Sequence, residues 1–245
     1  LLNASFPRPG NRRKVLESSL NLSPDSWFLA LDDGKLVGMV GATCFQRVAW
    51  VGLMAVHPQS RSRGFGRALM THLLDYLDSQ GIEMVLLDAS EAGRPLYLSL
   101  GFVDADESRL FEKMEGSGSF SSLGNRPENR DGHRTQETFS IRKIMEGDLP
   151  KLTEFDSSVY GADRGTLLKM LHEELPERCF LVEDSKKAIQ GFVFAQQNRI
   201  GPWVAAQTPA AEALLQRALS LPFETPVQVI APEKNAKLRE MLLQN

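Results

Sequence analysis

The sequence has little cysteine, little histidine and no long apolar run. It contains two cysteines and four histidines in 245 residues, and Cys44 and Cys179 fall in different halves. Two distant cysteines are too few for a disulfide framework and are typical of a reducing cytoplasm. Neither residue type shows the spacing of zinc ligands, and no segment has the ~20 apolar residues of a membrane span. We therefore expect a cytoplasmic protein with no metal ion and no membrane contact.

An excess of charge of one sign is also lacking. The chain has 28 Lys and Arg residues against 31 Asp and Glu residues, which gives a formal net charge of −3. Without a basic surface, nucleic acid is not expected as a partner. Hydrophobic residues make up 42% of the chain and charged residues 24%, which is typical of globular proteins. The length is sufficient for two ordinary domains.

The most informative segment is an apolar strand, a loop and a helix. The strand ends at His57-Pro58, and the helix has leucines at helical spacing, at positions 69, 73, 74 and 77. The residues that join them include Arg61, Ser62, Arg63, Gly64, Phe65, Gly66 and Arg67. Amides at a helix N-terminus bind anions, glycines let a phosphate approach, and arginines add charge-assisted hydrogen bonds. The segment therefore predicts a binding site for a diphosphate.

Two common types of diphosphate loop fit this segment poorly. A Walker-type loop ends in Gly-Lys-Ser or Gly-Lys-Thr, whereas this one ends in Gly66-Arg67-Ala68. A dinucleotide fingerprint has its first glycine directly after the strand, whereas Gly64 comes eight positions after Val56 (64 − 56). Asp88, after the next strand, has the position of a ribose-binding acid, so a dinucleotide site remains an alternative.

Two segments together resemble the GCN5-related N-acetyltransferase (GNAT) family. The pattern Arg61-x-x-Gly64-x-Gly66 resembles motif A of that family, in which the loop holds the pyrophosphate of acetyl-CoA. Residues 85–103 resemble motif B, a strand followed by a helix that carries a tyrosine and ends at Gly101-Phe102. The order and separation of the two motifs make the resemblance stronger than either motif alone.

The resemblance implies a fold and an activity. The fold is of the α/β (α+β) class, with a mixed, mostly antiparallel central sheet flanked by helices. The activity is that of an N-acetyltransferase, which moves an acetyl group directly from acetyl-CoA, its cosubstrate, to an amine of an acceptor. We expect a small-molecule acceptor, whose identity the sequence does not give. A non-catalytic module that binds or senses CoA is the alternative, and the oligomeric state is left open.

The resemblance also implies how the cosubstrate is held. Backbone groups of Met54, Ala55 and Val56 would pair with the pantetheine arm and polarise the thioester carbonyl, in a gap between two strands that splay apart. The loop from Arg61 to Arg67 would hold the pyrophosphate. We expect no metal ion in this site.

Two side chains are the candidate catalytic groups. The resemblance implies that Tyr97 protonates the departing thiolate, for which a phenol is a suitable acid; an aromatic residue that only caps the core is the alternative. Asp88, at the end of the strand 84–87, is the candidate base, although an Asp at this position also caps a following turn. Glu91 is the next candidate.

A polar segment divides the chain into two halves. Residues 116–139 are rich in Gly, Ser, Asn and charged residues, a composition that does not bury enough surface to offset its ordering entropy. We predict a catalytic domain at 1–115, a flexible linker at 116–139 and a second domain at 140–245.

The second half repeats the first. Phe28–Gly38 parallels Phe180–Gly191, since each contains a strand, an acidic turn and a second strand. Further matches lie at a constant offset of 142, namely Ala89, Glu91 and Leu96 with Ala231, Glu233 and Leu238. The repeat predicts two tandem GNAT-like domains, with chance similarity of two hairpins as the alternative.

The second copy lacks the residues that point to chemistry. From the hairpin glycine to the motif B alanine there are 51 positions in the first half (89 − 38) and 40 in the second (231 − 191). The missing stretch is where the arginine–glycine loop would lie, and Arg239 takes the position of Tyr97. We therefore predict a degenerate domain that does not bind acetyl-CoA and has no final strand of its own.

Overall fold

A computed structural model of the protein describes residues 1–5, 12–114, 120–122, 139–224 and 226–245. Most of the predicted linker at 116–139 lies outside these ranges. The described residues form two units, Leu1–Val103 and Asp104–Asn245. Each unit contains a sheet with helices packed on it, and most strand pairs are antiparallel. The predicted α/β class and the mixed sheets are confirmed.

The first unit contains one four-stranded sheet in the order β1-β2-β3-β4. In chain order, its described elements are α1 (Leu2–Ser5), α2 (Arg12–Leu22), β1 (Trp27–Asp32), β2 (Lys35–Phe45), β3 (Val48–Val56), α3 (Phe65–Ser79), β4 (Met84–Leu87) and α4 (Arg94–Ser99). Short 3-10 turns lie at Pro24–Ser26 and Pro58–Ser60.

A tight turn connects β1 to β2. Asp33 and Gly34 both have positive φ angles, 48° and 75°. This is the backbone geometry of the Asp-Gly hairpin turn, whose twist matches that of the strands it joins. The strand–turn–strand pattern seen in the sequence is therefore a true hairpin.

Strands β3 and β4 are parallel neighbours that separate early. They pair from Val48 with Met84 to Val51 with Leu87, and β4 then ends while β3 continues to Val56. One extra residue in β3 interrupts its pairing with β2 after Gly52, and Leu53 there has a φ of 51°. Such a β-bulge bends and twists a strand locally. The pairing of the two strands thus ends at Val51, and their predicted splaying stays a prediction.

Helix α3 covers one face of the sheet with its apolar side. Leu69, Met70, Leu73 and Leu77 are buried against β2 and β3, while Leu74 is half-buried. The leucine spacing therefore predicted the buried face, except that Met70 lies deeper than Leu74.

The second unit contains the remaining elements, and its sheets have the orders β10-β9-β8-β7 and β11-β5-β6. In chain order, its described elements are β5 (Ser108–Lys113), β6 (Ser121–Ser122), β7 (Ser140–Lys143), α5 (Leu149–Tyr160), α6 (Gly165–Glu174), β8 (Cys179–Glu183), β9 (Ile189–Ala195), β10 (Ile200–Ala205), α7 (Thr208–Leu219), β11 (Val227–Pro232) and α8 (Ala236–Gln244). A parallel bridge between Arg199 and Gln228 joins the two sheets.

Strand β5 belongs to the sheet of the second unit that contains β11. It pairs with β11 antiparallel over all six residues, from Ser108 with Pro232 to Lys113 with Val227. Thus the antiparallel neighbour of β11 comes from the segment that follows the first repeat. The two units divide after Val103. The boundary at residue 115 stays a prediction, since the sequence pattern does not reveal which sheet edge β5 joins.

Both faces of the β8–β9 hairpin are buried. Alternate residues of β8 contribute to two cores, with Phe180 and Val182 on the α7 side and Cys179 and Leu181 on the α5–α6 side. Side chains of a strand alternate between the two faces of its sheet. This double burial explains the continuous apolar run of β8, since no face of that strand needs polar residues.

A buried ion pair connects α5 to the start of α6. The Asp156 side chain is fully buried, and Arg164, 13% exposed, donates to it at 2.6 Å and 2.9 Å. The same guanidinium stacks on the Tyr160 ring, 3.9 Å from its centroid. Bidentate Arg–carboxylate pairs are among the stronger hydrogen-bonded interactions.

We predict that Asp156→Asn destabilises the second unit by roughly 3–5 kcal/mol, because Arg164 then lies buried without its counterion. The matched control is Glu173→Gln, in the exposed Lys169–Glu173 pair, where a change below about 1 kcal/mol is expected. Urea unfolding followed by circular dichroism measures both. Equal stabilities of the two variants would contradict the prediction.

Candidate functional site

The residues between β3 and α3 form a compact loop with two left-handed positions. Ser60 is buried, and its amide donates to the His57 carbonyl at 2.8 Å. Ser62 and Gly64 have positive φ angles of 60° and 87°, and α3 begins directly afterwards at Phe65. Gly64 caps the helix without a side chain, so the amides of the first turn receive no cap and remain available to a ligand. This is the geometry of an anion site at a helix N-terminus.

Gly66 lets three elements approach one another. A Cβ built at this position would lie 3.3 Å from Met54 Cε of β3 and 3.4 Å from Leu96 Cδ2 of α4. It would also lie 3.8 Å from Val56 Cγ2. A larger side chain at position 66 would therefore push α3 away from the end of β3 and from α4.

The first two arginines of the loop contact nearby groups of the same unit. Arg61 Nε donates to the Val56 carbonyl at 3.3 Å, and its Nη2 lies 3.5 Å from the Ser5 carbonyl. Arg63 forms a 2.6 Å ion pair with Asp32 at the end of β1. Both arginines are exposed. Their predicted contacts with a pyrophosphate stay predictions, and a ligand would compete with these internal acceptors.

The end of β3 extends beyond Val51, where its pairing with β4 stops. The predicted residues Met54 and Val56 are half-buried, and Ala55 is buried and pairs with Met39 of β2. The Val56 carbonyl accepts a 3.3 Å hydrogen bond from Ser5 Oγ in addition to the bond from Arg61. Nothing in the local sequence signals the contact with Ser5, which comes from a distant helix.

Helix α4 contains the candidate acid. Tyr97 is half-buried, its ring meets that of Phe102 edge-on at 5.9 Å, and a Cβ at Gly93 would lie 3.0 Å from the ring. Burial raises the pKa of the Tyr97 phenol, so the group stays protonated at neutral pH. Among the described residues, the Tyr97 hydroxyl has no hydrogen-bond partner, which leaves its proton available to a ligand.

Arg67 connects α3 to the same helix. Its Nη2 donates to Ser99 Oγ at 2.8 Å, and Ser99 Oγ donates to the Leu96 carbonyl at 2.6 Å. This link ties the anion loop to the segment that carries Tyr97. Ser99 gives no distinctive signal in the sequence, because a serine near a helix end has many common roles.

The candidate bases lie on the surface. Asp88 directly follows the last residue that pairs β4 with β3, and its side chain is exposed. Glu91 is exposed in the next turn. In that turn Ser90 Oγ accepts from the Gly93 amide at 3.2 Å. The role of Asp88 as a base stays a prediction.

Within the described ranges, no group of three or more His, Cys, Asp or Glu side chains is arranged to hold a metal ion. None of the described helices has the length and apolar character that crossing a membrane requires.

The second unit differs from the first in the loop before its central helix and in the residue at the position of Tyr97. Only two residues separate β10 from α7 (208 − 205 − 1), compared with eight between β3 and α3 (65 − 56 − 1). Arg239, at the position of Tyr97, forms an ion pair with Glu233, which also pairs with Arg109 of β5. An arginine in an ion pair does not supply a proton at neutral pH.

Family models match both halves of the chain. Residues 1–102 match a model described as the acetyltransferase (GNAT) family, and residues 152–245 match one described as an acetyltransferase (GNAT) domain. The predicted repeat is therefore confirmed by two independent matches.

Individual proteins show the same relationship. The uncharacterized N-acetyltransferase YitH of Bacillus subtilis is 23% identical over 86% of this chain and 70% of its own. The ribosomal protein bS18-alanine N-acetyltransferase of Escherichia coli is 31% identical over 34% of this chain and 59% of its own. A crystal structure from Pyrococcus horikoshii, classed with the acetyltransferases, is 27% identical with a TM-score of 0.74, covering 98% of this chain and 77% of the other.

We predict that Tyr97 titrates above the ordinary tyrosine pKa of about 10, because burial disfavours the phenolate. Titration followed by tyrosinate absorbance, in the wild type and in Tyr97→Phe, gives the Tyr97 transition as the difference. Circular dichroism at each pH verifies that the fold persists. A difference transition centred below pH 10 would show that the ring is not shielded as described.

Proposed function

Because the chain belongs to the GNAT acetyltransferase family, we propose that it is an acetyl-CoA-dependent N-acetyltransferase with direct transfer to an amine. The observation that carries the proposal is the convergence of three elements at Gly66. There the end of β3, the uncapped N-terminus of α3 and the helix that carries Tyr97 lie within van der Waals distance. This contact supports a site in which the N-terminus of α3, the end of β3 and the helix that carries the proposed acid are neighbours.

The first contribution of the chain is to bind the pyrophosphate. The backbone amides at the start of α3 supply hydrogen bonds to phosphate oxygens, and the absence of side chains at Gly64 and Gly66 permits close approach. The arginines of the loop add charge once they exchange their present acceptors for phosphate oxygens. These groups fit the cosubstrate, which supplies the reactive acetyl thioester.

The second contribution is to orient the thioester. Beyond Val51, β3 has no β4 residue opposite it. Backbone groups of Met54–Val56 on this side pair with the pantetheine arm and polarise the carbonyl, where negative charge develops as the amine attacks. The bulge at Leu53 re-aims these groups, which is a common use of a bulge beside an active site.

The third contribution is to move two protons. The amine nitrogen forms a bond to the carbonyl carbon, and the carbon–sulfur bond breaks. Asp88 accepts the proton that the amine loses, directly or through water, and Tyr97 donates its proton to the thiolate. Glu91 is the alternative base. The half-buried position and raised pKa of Tyr97 support its role as an acid that is protonated at neutral pH.

The acceptor and the setting belong to the same proposal. We propose a small-molecule amine and a cytoplasmic site of action, the latter because the two cysteines are free. The relative from Escherichia coli is named for an alanine of a ribosomal protein, so a protein amine is the alternative acceptor. A panel that contains amino acids, polyamines and peptides with free N-termini distinguishes the two classes.

A non-catalytic module that senses CoA is the competing function. It predicts binding of acetyl-CoA without release of free thiol in the presence of any amine. A thiol-release assay on the full chain with the same acceptor panel separates the two. The Tyr97 hydroxyl, which has no hydrogen-bond partner within the described ranges, supports the enzyme, because a sensor needs no proton donor at the sulfur.

Valine at Gly64 and Gly66 is predicted to weaken acetyl-CoA binding at least about tenfold, or 1.4 kcal/mol. Valine is strained at the φ of 87° at position 64, and at position 66 it fills the space beside Met54 and Leu96. Calorimetric titration measures the affinity, and melting curves verify folding. The control is Gly147→Val, since Gly147 has no positive φ and open space around its Cα. Unchanged affinity in the double variant would refute the binding site.

Tyr97→Phe is predicted to lower kcat by roughly 10- to 100-fold and to leave the KM for acetyl-CoA within about twofold, because it removes a proton donor and little contact area. Tyr76→Phe is the control, since Tyr76 packs edge-on against Phe28 from α3. Steady-state kinetics with the acceptor found in the panel give both constants. An unchanged kcat in Tyr97→Phe would show that another group protonates the thiolate.

A further inference from the structure

The three arginines of the loop before α3 have different internal partners. Arg61 donates to two backbone carbonyls, and Arg63 forms an ion pair with Asp32. Arg67 instead donates one N–H, on Nη2, to Ser99 Oγ. A guanidinium has five N–H donors, and the other four of Arg67 have no partner among the described residues. An incoming phosphate therefore displaces no acceptor of Arg67, whereas it competes with a carboxylate for Arg63.

Arg67 occupies a position that is unfavourable for the stability of α3. It is the third residue of this helix, which begins at Phe65 and has no acidic residue in its first turn. The partial positive charge of a helix N-terminus repels cations and attracts anions. A positive side chain here thus destabilises the free helix, and a bound phosphate reverses the sign of that interaction. The position favours a role in anion binding over a role in the fold.

The hydroxyl of Ser99 has a fixed direction. Its one hydrogen is donated to the Leu96 carbonyl of the same helix at 2.6 Å, so its oxygen accepts from Arg67 at 2.8 Å. The two bonds form a chain of one polarity, from guanidinium through hydroxyl to carbonyl, and bonds in such a chain strengthen one another. Ser99 therefore restricts the rotation of an exposed, long side chain that has many rotamers when it is unattached.

An apolar contact between the same two helices lies beside this hydrogen bond. A Cβ at Gly66 would lie 3.4 Å from Leu96 Cδ2. Consecutive residues of α3, Gly66 and Arg67, thus contact α4 through Leu96 and Ser99. These two residues of α4 flank Tyr97 in the sequence. The helix that carries the proposed acid is therefore attached to the N-terminus of α3 by one apolar and one polar contact.

We propose that Ser99 is a positioning residue, which orients Arg67 for the pyrophosphate of the cosubstrate. The inference rests on the proposed function, because it concerns the same cosubstrate. Ser99 itself makes no contact with the cosubstrate, and Arg67 uses its remaining N–H groups for charge-assisted hydrogen bonds to phosphate oxygens. Because the side chain is already held in the free protein, less conformational entropy is lost on binding.

The test measures the binding of CoA and of dephospho-CoA to the full chain by calorimetric titration. Both ligands contain the pyrophosphate, and dephospho-CoA lacks the 3′-phosphate. Ser99→Ala is expected to weaken both ligands by the same factor, at least about threefold, and Arg67→Met by at least about tenfold. The double variant is expected to bind no more weakly than Arg67→Met alone, because Ser99 acts only through the arginine. Ser99→Thr keeps a hydroxyl and is expected to bind within about twofold of the wild type.

Ser79→Ala is the matched control. Ser79 also lies exposed at a helix end, and its hydroxyl donates to the carbonyl three residues earlier at 2.6 Å. It also accepts from a side chain, that of Gln80, at 3.3 Å. Because Ser79 is at the opposite end of α3, its replacement is expected to leave both affinities unchanged. Melting curves verify that every variant folds.

Unchanged affinity in the folded Ser99→Ala variant overturns the proposal. A loss in Ser99→Ala that adds fully to the loss in Arg67→Met also does so, because Ser99 then acts independently of the arginine. A loss with CoA but not with dephospho-CoA would place Arg67 at the 3′-phosphate instead. If the wild type binds neither ligand, the proposed function fails together with this inference, whereas the other three results contradict the inference alone.

Discussion

The early separation of two parallel strands is the constraint on which the first unit depends. Strands β3 and β4 pair only from Val48 to Val51, so the rest of β3 has one hydrogen-bonded neighbour instead of two. A strand edge inside a sheet is costly unless something satisfies its polar groups. Here Ser5 and Arg61 satisfy the Val56 carbonyl, and the remaining edge is where the proposed cosubstrate binds. The bulge at Leu53 lies in the part of β3 that does not pair with β4, and the loop before α3 begins where that strand ends.

The two units show how one arrangement of strands and helices can be used differently. In the first unit the loop before α3 is long enough to form an anion site. The helix after β4 carries a tyrosine whose hydroxyl has no hydrogen-bond partner in the described part of the chain. In the second unit the loop is reduced to two residues, and Arg239 and Glu233 neutralise each other beside Arg109 of β5. These two ion pairs connect α8 to β5 through Glu233. The arginine at the position of Tyr97 is not a proton donor at neutral pH.

The arginines of the anion loop illustrate why a motif alone does not describe a site. Arg63 pairs with Asp32, and Arg67 is held by Ser99 of α4. Each guanidinium is thus oriented by a partner from a distant part of the unit. Exposed ion pairs contribute little to stability, so exchanging such a partner for a phosphate oxygen costs little. The contact with Ser99 also couples the anion loop to the helix that carries Tyr97.

By itself the sequence determined the local elements: the hairpin turn at Asp33-Gly34, the apolar face of α3, the glycine loop and the repeat in the second half. These follow from backbone preferences and side-chain periodicity, which act over a few residues. Only the tertiary structure decided that β5 pairs with β11, that β3 bulges at Leu53, and that Ser99 holds Arg67. Each of these depends on which edge or acceptor a distant segment leaves available. A local pattern has no information about a partner far along the chain.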